Sequence, residues 1–124
     1  MIQIYTTPSC ASCRKAKKWF DQYKIPYSEK NIFSIKLSKE DIYKMLANSE
    51  NGFDDIISTR SKIFKEKKLE PENMSVQALV NFIIDYPSVL KRPIIINERE
   101  LQVGYNNEDI TIFLPKELRN CEAF

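Results

Sequence analysis

The chain opens with Ile2-Gln3-Ile4-Tyr5-Thr6, an apolar and β-branched run that Thr7-Pro8-Ser9 ends, so the pattern predicts a strand running into a turn. From Ala11 to Tyr23 the apolar positions Ala16, Trp19, Phe20 and Tyr23 recur at spacings of three and four, with Arg14, Lys15, Lys17 and Lys18 mostly on the other faces. That is the period of an amphipathic helix. Pro26 bars its continuation, and Tyr27 to Asn31 fits a second short strand. Ser38 with Asp41 three residues on predicts a capped helix, which Ile42, Met45 and Leu46 carry to about Asn48, ahead of a loop at Asn51-Gly52. Two further helices are predicted: a basic one from Thr59 to Lys68 with Ile63 and Phe64 inward, and one from Ser75 to Asp85 with Val76, Leu79, Val80, Phe82, Ile83 and Ile84 mostly inward.

Pro93-Ile94-Ile95-Ile96 is a continuous apolar run suited to a buried strand, and Glu98 to Val103 reads as its antiparallel partner across a turn at Asn97-Glu98. Gly104 closes the sheet, Asn106 or Asn107 caps a last helix through about Phe113, and Pro115 stops it. The order β-α-β, helices, β-β-α predicts an α/β fold: a thioredoxin-like mixed sheet of four strands with an inserted helical layer at about 35–90. One domain over 1–115 and a polar, frayed tail over 116–124 are expected.

Composition narrows the chemistry. At 124 residues, 43% of them hydrophobic, the chain can bury a core without staples, so stability need not explain its cysteines. Nineteen basic and seventeen acidic residues leave +2, which argues against a generic polyanion binder. The sequence has no His, so it cannot build Ser-His or Cys-His nucleophilic pairs, HExxH zinc sites or imidazole switches. No apolar run approaches the roughly 18 residues of a membrane span, and the start MIQIYTTPSC has neither a basic n-region nor an apolar h-region. A cytoplasmic protein without membrane contact is expected, and there a close Cys pair is more often catalytic, sensory or metal-binding than structural.

In Pro8-Ser9-Cys10-Ala11-Ser12-Cys13-Arg14-Lys15 the strand ends just before Cys10, which places Cys10 at the helix N-cap and Cys13 in the first turn. A spacing of three puts both sulfurs on one side of that turn, where a disulfide is geometrically available. The dipole and free N-H groups of the helix start, with Arg14 and Lys15, favour a thiolate at Cys10, making it the nucleophile and Cys13 the resolving thiol. Zinc needs four ligands, and the chain offers only Cys121 and scattered carboxylates besides the pair; two inert buried cysteines are the bland alternative. No metal or cofactor is expected. Arg92-Pro93 precedes the buried strand where thioredoxin-like folds hold a cis proline beside the CxxC, against an ordinary trans proline at a strand start. A cis bond would bring Arg92 within reach of the sulfurs, where it and Arg60 could meet an anion or an oxidised cysteine. Five cations at Arg60, Lys62, Lys65, Lys67 and Lys68 against Glu66 leave +4 over 60–68, enough for a few salt-sensitive phosphate contacts and too little for tight independent DNA binding. A solvated face explains the same run.

Five blocks then resemble one family: Tyr5 to Ala16 around the CxxC, Asn31-Ile32-Phe33-Ser34, Ile56 to Lys62, Arg92 to Ile96, and Leu101 to Asn106. They are similar to the Spx family of redox-responsive transcriptional regulators, of the arsenate-reductase-like branch of the thioredoxin fold. The resemblance covers about the first 115 residues. It implies a regulator and not an enzyme, expected to be monomeric when free, that binds the C-terminal domain of the RNA polymerase α subunit and activates thiol and oxidative stress genes. It makes Cys10–Cys13 the switch, with Arg92, Arg14 and Pro93 supporting it, and gives Gly52 to the polymerase surface. Arg60 and Lys62 would contact promoter DNA within the polymerase complex. The ClpXP protease and an adaptor are further implied partners, although the ending Arg119-Asn120-Cys121-Glu122-Ala123-Phe124 lacks the small apolar residues of family members. Ala47 stands where some members have Arg, and Cys121 is an extra thiol, read as inert or as a site of intermolecular oxidation.

Two rival readings remain. An arsenate reductase or glutaredoxin-like thiol oxidoreductase would use Cys10 to attack an anion held by helix N-H groups and arginines. Such enzymes hold the anion with three arginines; only Arg60 and Arg92 match, and Gln102-Val103-Gly104-Tyr105 stands where the third is expected. The other rival is an adaptor without redox input, which a fully active Cys10→Ser variant would favour.

Overall fold

In the computed structural model, which describes residues 1–115, strand β1 (Ile2–Thr6) lies at the centre of the fold. It pairs in parallel with β2 (Tyr27–Asn31) and antiparallel with β3 (Ile94–Ile96), which pairs antiparallel with β4 (Leu101–Val103), giving the order β2-β1-β3-β4. Helix α1 (Ala11–Gln22) makes the crossover from β1 to β2. Between β2 and β3 come α2 (Lys39–Ala47), α3 (Phe53–Ile56), α4 (Lys62–Glu66) and α5 (Val76–Asp85). The fold is therefore the mixed α/β, thioredoxin-like sheet with inserted helices that the order of elements predicts.

Strand alternation explains how both sheet faces are covered. Ile4 and Ile95 pack with Ala16, Trp19 and Phe20 of α1 and with Ile110 and Phe113, whereas Tyr5, Ile94 and Ile96 pack against the inserted helices through Ile42, Met45, Leu79, Val80 and Ile83. Ile94, Ile95 and Ile96 are all buried, because a strand sandwiched between two layers has no polar face. Each such side chain contributes about 1.5–3 kcal/mol of hydrophobic stabilisation.

Several elements differ from the sequence pattern, each for a local reason. The basic helix is confined to α4: Ser61 Oγ accepts from Phe64 N at 3.3 Å and caps it, while Ser61 N and Oγ bond back to Ser58 O. Arg60 consequently sits in the turn ahead of the helix, and Lys67 and Lys68 lie beyond its end. Gly52 does not end α2, whose C-cap is Asn48; it precedes the unanticipated helix α3 with φ +63° and ψ −131°. β4 begins only at Leu101, because Asn97 Oδ1 accepts from the backbone N of both Arg99 and Glu100 and holds 97–100 in a turn. The last helix is 3-10, Asp109–Phe113, started by Asn106 Oδ1 accepting from Glu108 N and Asp109 N. Two further 3-10 turns, Pro71–Asn73 and Pro87–Val89, fall where Pro opens a turn, and Val76 faces outward instead of joining the core. The expected polar tail and Cys121 lie outside the described residues.

Candidate functional site

β1 delivers the chain through buried Thr7 and the exposed Pro8-Ser9 turn to Cys10. Cys10 is extended (φ −107°, ψ 110°) and is the N-cap of α1; its Sγ accepts from Cys13 N at 3.0 Å, while its carbonyl accepts from Arg14 N at 3.2 Å. Cys10 and Cys13 are joined as a disulfide with Cα atoms 5.1 Å apart. Cys10 is half-buried and Cys13 buried, so the outer sulfur is the one a reagent meets first. The first turn of α1 carries no acidic residue, and the backbone donor on Cys10 Sγ adds to the positive end of the helix. A thiolate formed at Cys10 is stabilised by both.

A cavity of about 520 Å³ opens beside Cys10, lined also by Arg60, Arg92, Ser58, Ser61 and Ser88. The Arg92–Pro93 peptide bond is cis, and Pro93 is buried at the start of β3, with its carbonyl accepting from Gly104 N at 2.8 Å. Arg92 is half-buried, donates Nη1 to Ser88 O at 3.2 Å, and lies 6.0 Å from the centroid of the Phe33 ring. Burial pushes its pKa below the ordinary guanidinium value. Among the described residues no carboxylate forms a salt bridge with Arg92 or Arg60, so both present positive charge to the cavity.

The structure thus gathers Cys10, Arg92 and Arg60 in one cavity, while Cys13 and Pro93, each buried, are not part of its lining. Arg14 instead points from the exposed face of α1 and does not line it. Lys62 is exposed in the first turn of α4 and pairs with Glu66 at 3.6 Å. Gly52 and Ala47 belong to another surface. Ala47 ends α2 in an exposed position, and Gly52 borders a second cavity of about 580 Å³ with Phe53, Asp54, Phe64, Glu72 and Leu79. Asp55 shapes that loop: it accepts from Glu50 N and Asn51 N, each at 2.9 Å, and the Asn51 amide bond above all holds its carboxyl below the ordinary range. Asp55 and Ser88 are site residues that the sequence pattern does not single out: an Asn-Gly followed three residues on by Asp is the signal for the first, whereas Ser88 reaches the cavity, and Phe33 reaches Arg92, only through the fold. Among the described residues no cluster of three or more Cys, Asp or Glu could hold a metal ion. None of their helices is long and apolar enough to cross a membrane.

A mixed four-stranded sheet with a CxxC at the start of its first helix and a cis proline just before β3 defines a protein of thioredoxin-like fold. The sequence model of the ArsC family matches residues 5–113, and the chain belongs to that family. Its relatives include Spx proteins. The chain is 50% identical to the global transcriptional regulator Spx 1 of Bacillus cereus over 98% of its own length and 93% of that protein's. It is 48% identical to the global transcriptional regulator Spx of Bacillus subtilis (98% and 93%) and 46% to that of Streptococcus pneumoniae (98% and 92%). Solved structures share the fold at lower identity. An arsenate reductase from Vibrio cholerae superposes with TM-score 0.77 at 21% identity, covering 91% of this chain and 97% of that one, and a possible arsenate reductase from Streptococcus mutans with 0.77 at 24% (89% and 97%).

Proposed function

We propose that this protein is a redox-responsive transcriptional regulator that acts by binding the C-terminal domain of the RNA polymerase α subunit and activates thiol and oxidative stress genes. The observation that carries the reading is the Cys10–Cys13 disulfide at the start of α1, facing a cavity with Arg92 and Arg60, in a chain half identical to a global transcriptional regulator over nearly its whole length. Oxidation by a peroxide proceeds in two balanced steps. The Cys10 thiolate attacks the O–O bond, leaving a sulfenic acid on Cys10 and releasing water once a proton is taken up. Cys13 then displaces a second water to form the disulfide, so two thiols lose two electrons to one peroxide. A thiolate beside Arg92 is replaced by a neutral disulfide, and the guanidinium loses its counter-charge. That change in charge, and the constraint on the first turn of α1, bias the packing above it.

Gly52, Asn51 and the end of α2 form the polymerase-facing surface in this reading, and Arg60 and Lys62 reach promoter phosphates once polymerase holds the complex on DNA. The polymerase subunit supplies most of the DNA affinity, which suits a protein of net charge +2. The test is a pull-down of the isolated α C-terminal domain on the purified protein, reduced and after a thiol oxidant, run beside an arsenate reduction assay. Redox-sensitive capture without arsenate turnover supports the regulator. Turnover of arsenate without capture establishes the enzyme instead, and capture indifferent to oxidant and to Cys10→Ser leaves an adaptor.

A further inference from the structure

Tyr5 and Thr6 are neighbours on β1 and face opposite sides of the sheet. Each meets a carboxylate. Thr6 Oγ1 donates to Glu29 Oε2 at 2.7 Å, and the same oxygen takes Lys17 Nζ of α1 at 3.0 Å. On the other side, the Tyr5 phenol is 2.8 Å from Asp41 Oδ1 and 3.1 Å from Gln3 Oε1. A phenol has one proton to give, and the shorter contact to the charged acceptor takes it. Asp41 Oδ2 meanwhile accepts from Ser38 N at 2.9 Å and Ser38 Oγ at 3.0 Å, completing the reciprocal cap of α2. Lys30 of β2 is 3.3 Å from Asp41 Oδ1, and its Nζ lies 5.5 Å from the centroid of the Tyr5 ring.

Packing alone does not call for the Tyr5 hydroxyl. The ring is buried in an apolar cluster with Ile42 and Met45 of α2, which a phenylalanine ring would fill equally, and the Ser38–Asp41 cap closes without it. What the hydroxyl adds is a directional bond from the strand that carries the redox turn to the first turn of α2, the helix whose far end leads into the Gly52 loop. We infer that Tyr5 is a positioning residue: through Asp41 it couples the redox state of the Cys10–Cys13 pair to the placement of α2, and so to the surface that α2 and the Gly52 loop present. The inference rests on the regulatory reading above for its biological meaning, but its structural part is independent of any partner. Burial and the Asp41 bond raise the Tyr5 phenol well above its ordinary value, and the bonds from Ser38 and Tyr5 hold Asp41 low against its own burial. The donor and acceptor roles are therefore constant at neutral pH.

Hydrogen exchange of the α2 amides, measured on the oxidised and reduced full chain, tests the coupling without a partner. In the wild type the two forms should differ by about threefold or more in exchange rate across 42–47, and in Tyr5→Phe the difference should disappear while the disulfide still forms. Asp41→Ala, which removes the phenol's acceptor together with half of the cap, should behave as Tyr5→Phe does and serves where that variant folds poorly; Ser38→Ala, which loses the cap and keeps the acceptor, should retain the difference. Thr6→Val cuts the matching bond on the opposite face and should leave the difference intact, which separates coupling from a general loosening of β1. Equal exchange in both redox forms of the wild type, retention of the difference in Tyr5→Phe and Asp41→Ala, or its loss in Thr6→Val, would each overturn the inference. Affinity for the polymerase α C-terminal domain then reads the regulatory part. The oxidised-to-reduced affinity ratio of Tyr5→Phe should lie within about twofold of one. A wild-type ratio of one alongside redox-dependent exchange sinks the polymerase reading and leaves the coupling standing.

Discussion

Cys10 occupies a position that Ser, Thr, Asp or Asn usually fills at the start of a helix, and its sulfur performs the same task by accepting from Cys13 N. The redox chemistry is thus installed on a capping site. Cys10→Ser should keep the cap and lower stability, measured by urea denaturation under reducing conditions, by less than about 1 kcal/mol. The same variant should show no intrachain loss of two hydrogens in its mass after mild peroxide, whereas the wild-type peptide carrying both cysteines should. Arg92 is the half-buried cation of the cavity, and Arg92→Met removes its charge while retaining much of its length. The expected outcome is a several-fold slower alkylation of reduced Cys10 at neutral pH, because the cavity that Cys10 lines loses a half-buried positive charge, with little change in melting temperature. Gly52 makes a different demand. Its φ of +63° with ψ −131° is reached at low cost only without a side chain, although an added Cβ would meet nothing within 4 Å. Gly52→Ala should therefore cost about 1–3 kcal/mol through backbone strain alone, seen as a lower denaturation midpoint, with no clash to relieve.

Among the elements, α2 shows most directly how side chains set a boundary. The Ser38–Asp41 box closes its first turn, and Asp41 serves the cap, Tyr5 and Lys30 together. Burial works against the Asp41 charge, yet the hydrogen bonds from Ser38 and Tyr5 and the charge of Lys30 win, and its pKa falls below the ordinary value; Glu29, bonded by Thr6 and Lys17, shifts the same way against its own desolvation. A depressed carboxyl pKa means stability that is present above the unfolded value, about 3.9 for Asp, and that drains away as pH falls through the folded value. Acid titration followed by circular dichroism should accordingly show stability declining below about pH 4, and Asp41→Asn should flatten that decline. The strands β1 and β2, helices α1, α2 and α5 and the CxxC at a helix start were legible because periodicity, Pro26 and the Ser38–Asp41 pair are all local signals. The four-residue helix α3, the shortening of the basic helix at Ser61, the Asn97 turn and the 3-10 form of the last helix were not, since each depends on side-chain bonds to backbone over a few residues that several conformers could satisfy. For the site, Cys10, Cys13, Arg92, Pro93 and Arg60 could be named from sequence. The cavity that joins Cys10, Arg92 and Arg60 with Ser58, Ser61 and Ser88 exists only because the residues just before β3 and the turn before α4 are brought to the start of α1.

The whole molecule is built so that its switch need not unfold it. A disulfide closing a loop of sequence separation 3 removes little chain entropy, no more than about 2 kcal/mol, and the two apolar clusters on either side of the sheet do not depend on it. Reduction should therefore leave a folded protein with a modestly lower melting temperature, as the proposed redox-responsive role requires. Electrostatics at the same scale bear on the proposed promoter contact. A net charge of +2 supplies no long-range field of consequence, and the strongest local cations here are Arg60 at the cavity rim and Lys62 two residues on, the latter partly engaged with Glu66. Each phosphate neutralised contributes about 0.9 to the slope of log affinity against log salt concentration. For the complex of this protein, the polymerase α C-terminal domain and promoter DNA, Arg60→Ala with Lys62→Ala should thus reduce that slope by close to 2. The protein alone should show negligible promoter binding in either form. An unchanged slope in the double variant would place the phosphate contacts on the polymerase subunit alone, and the basic turn before α4 would then act only inward, on the cavity beside Cys10.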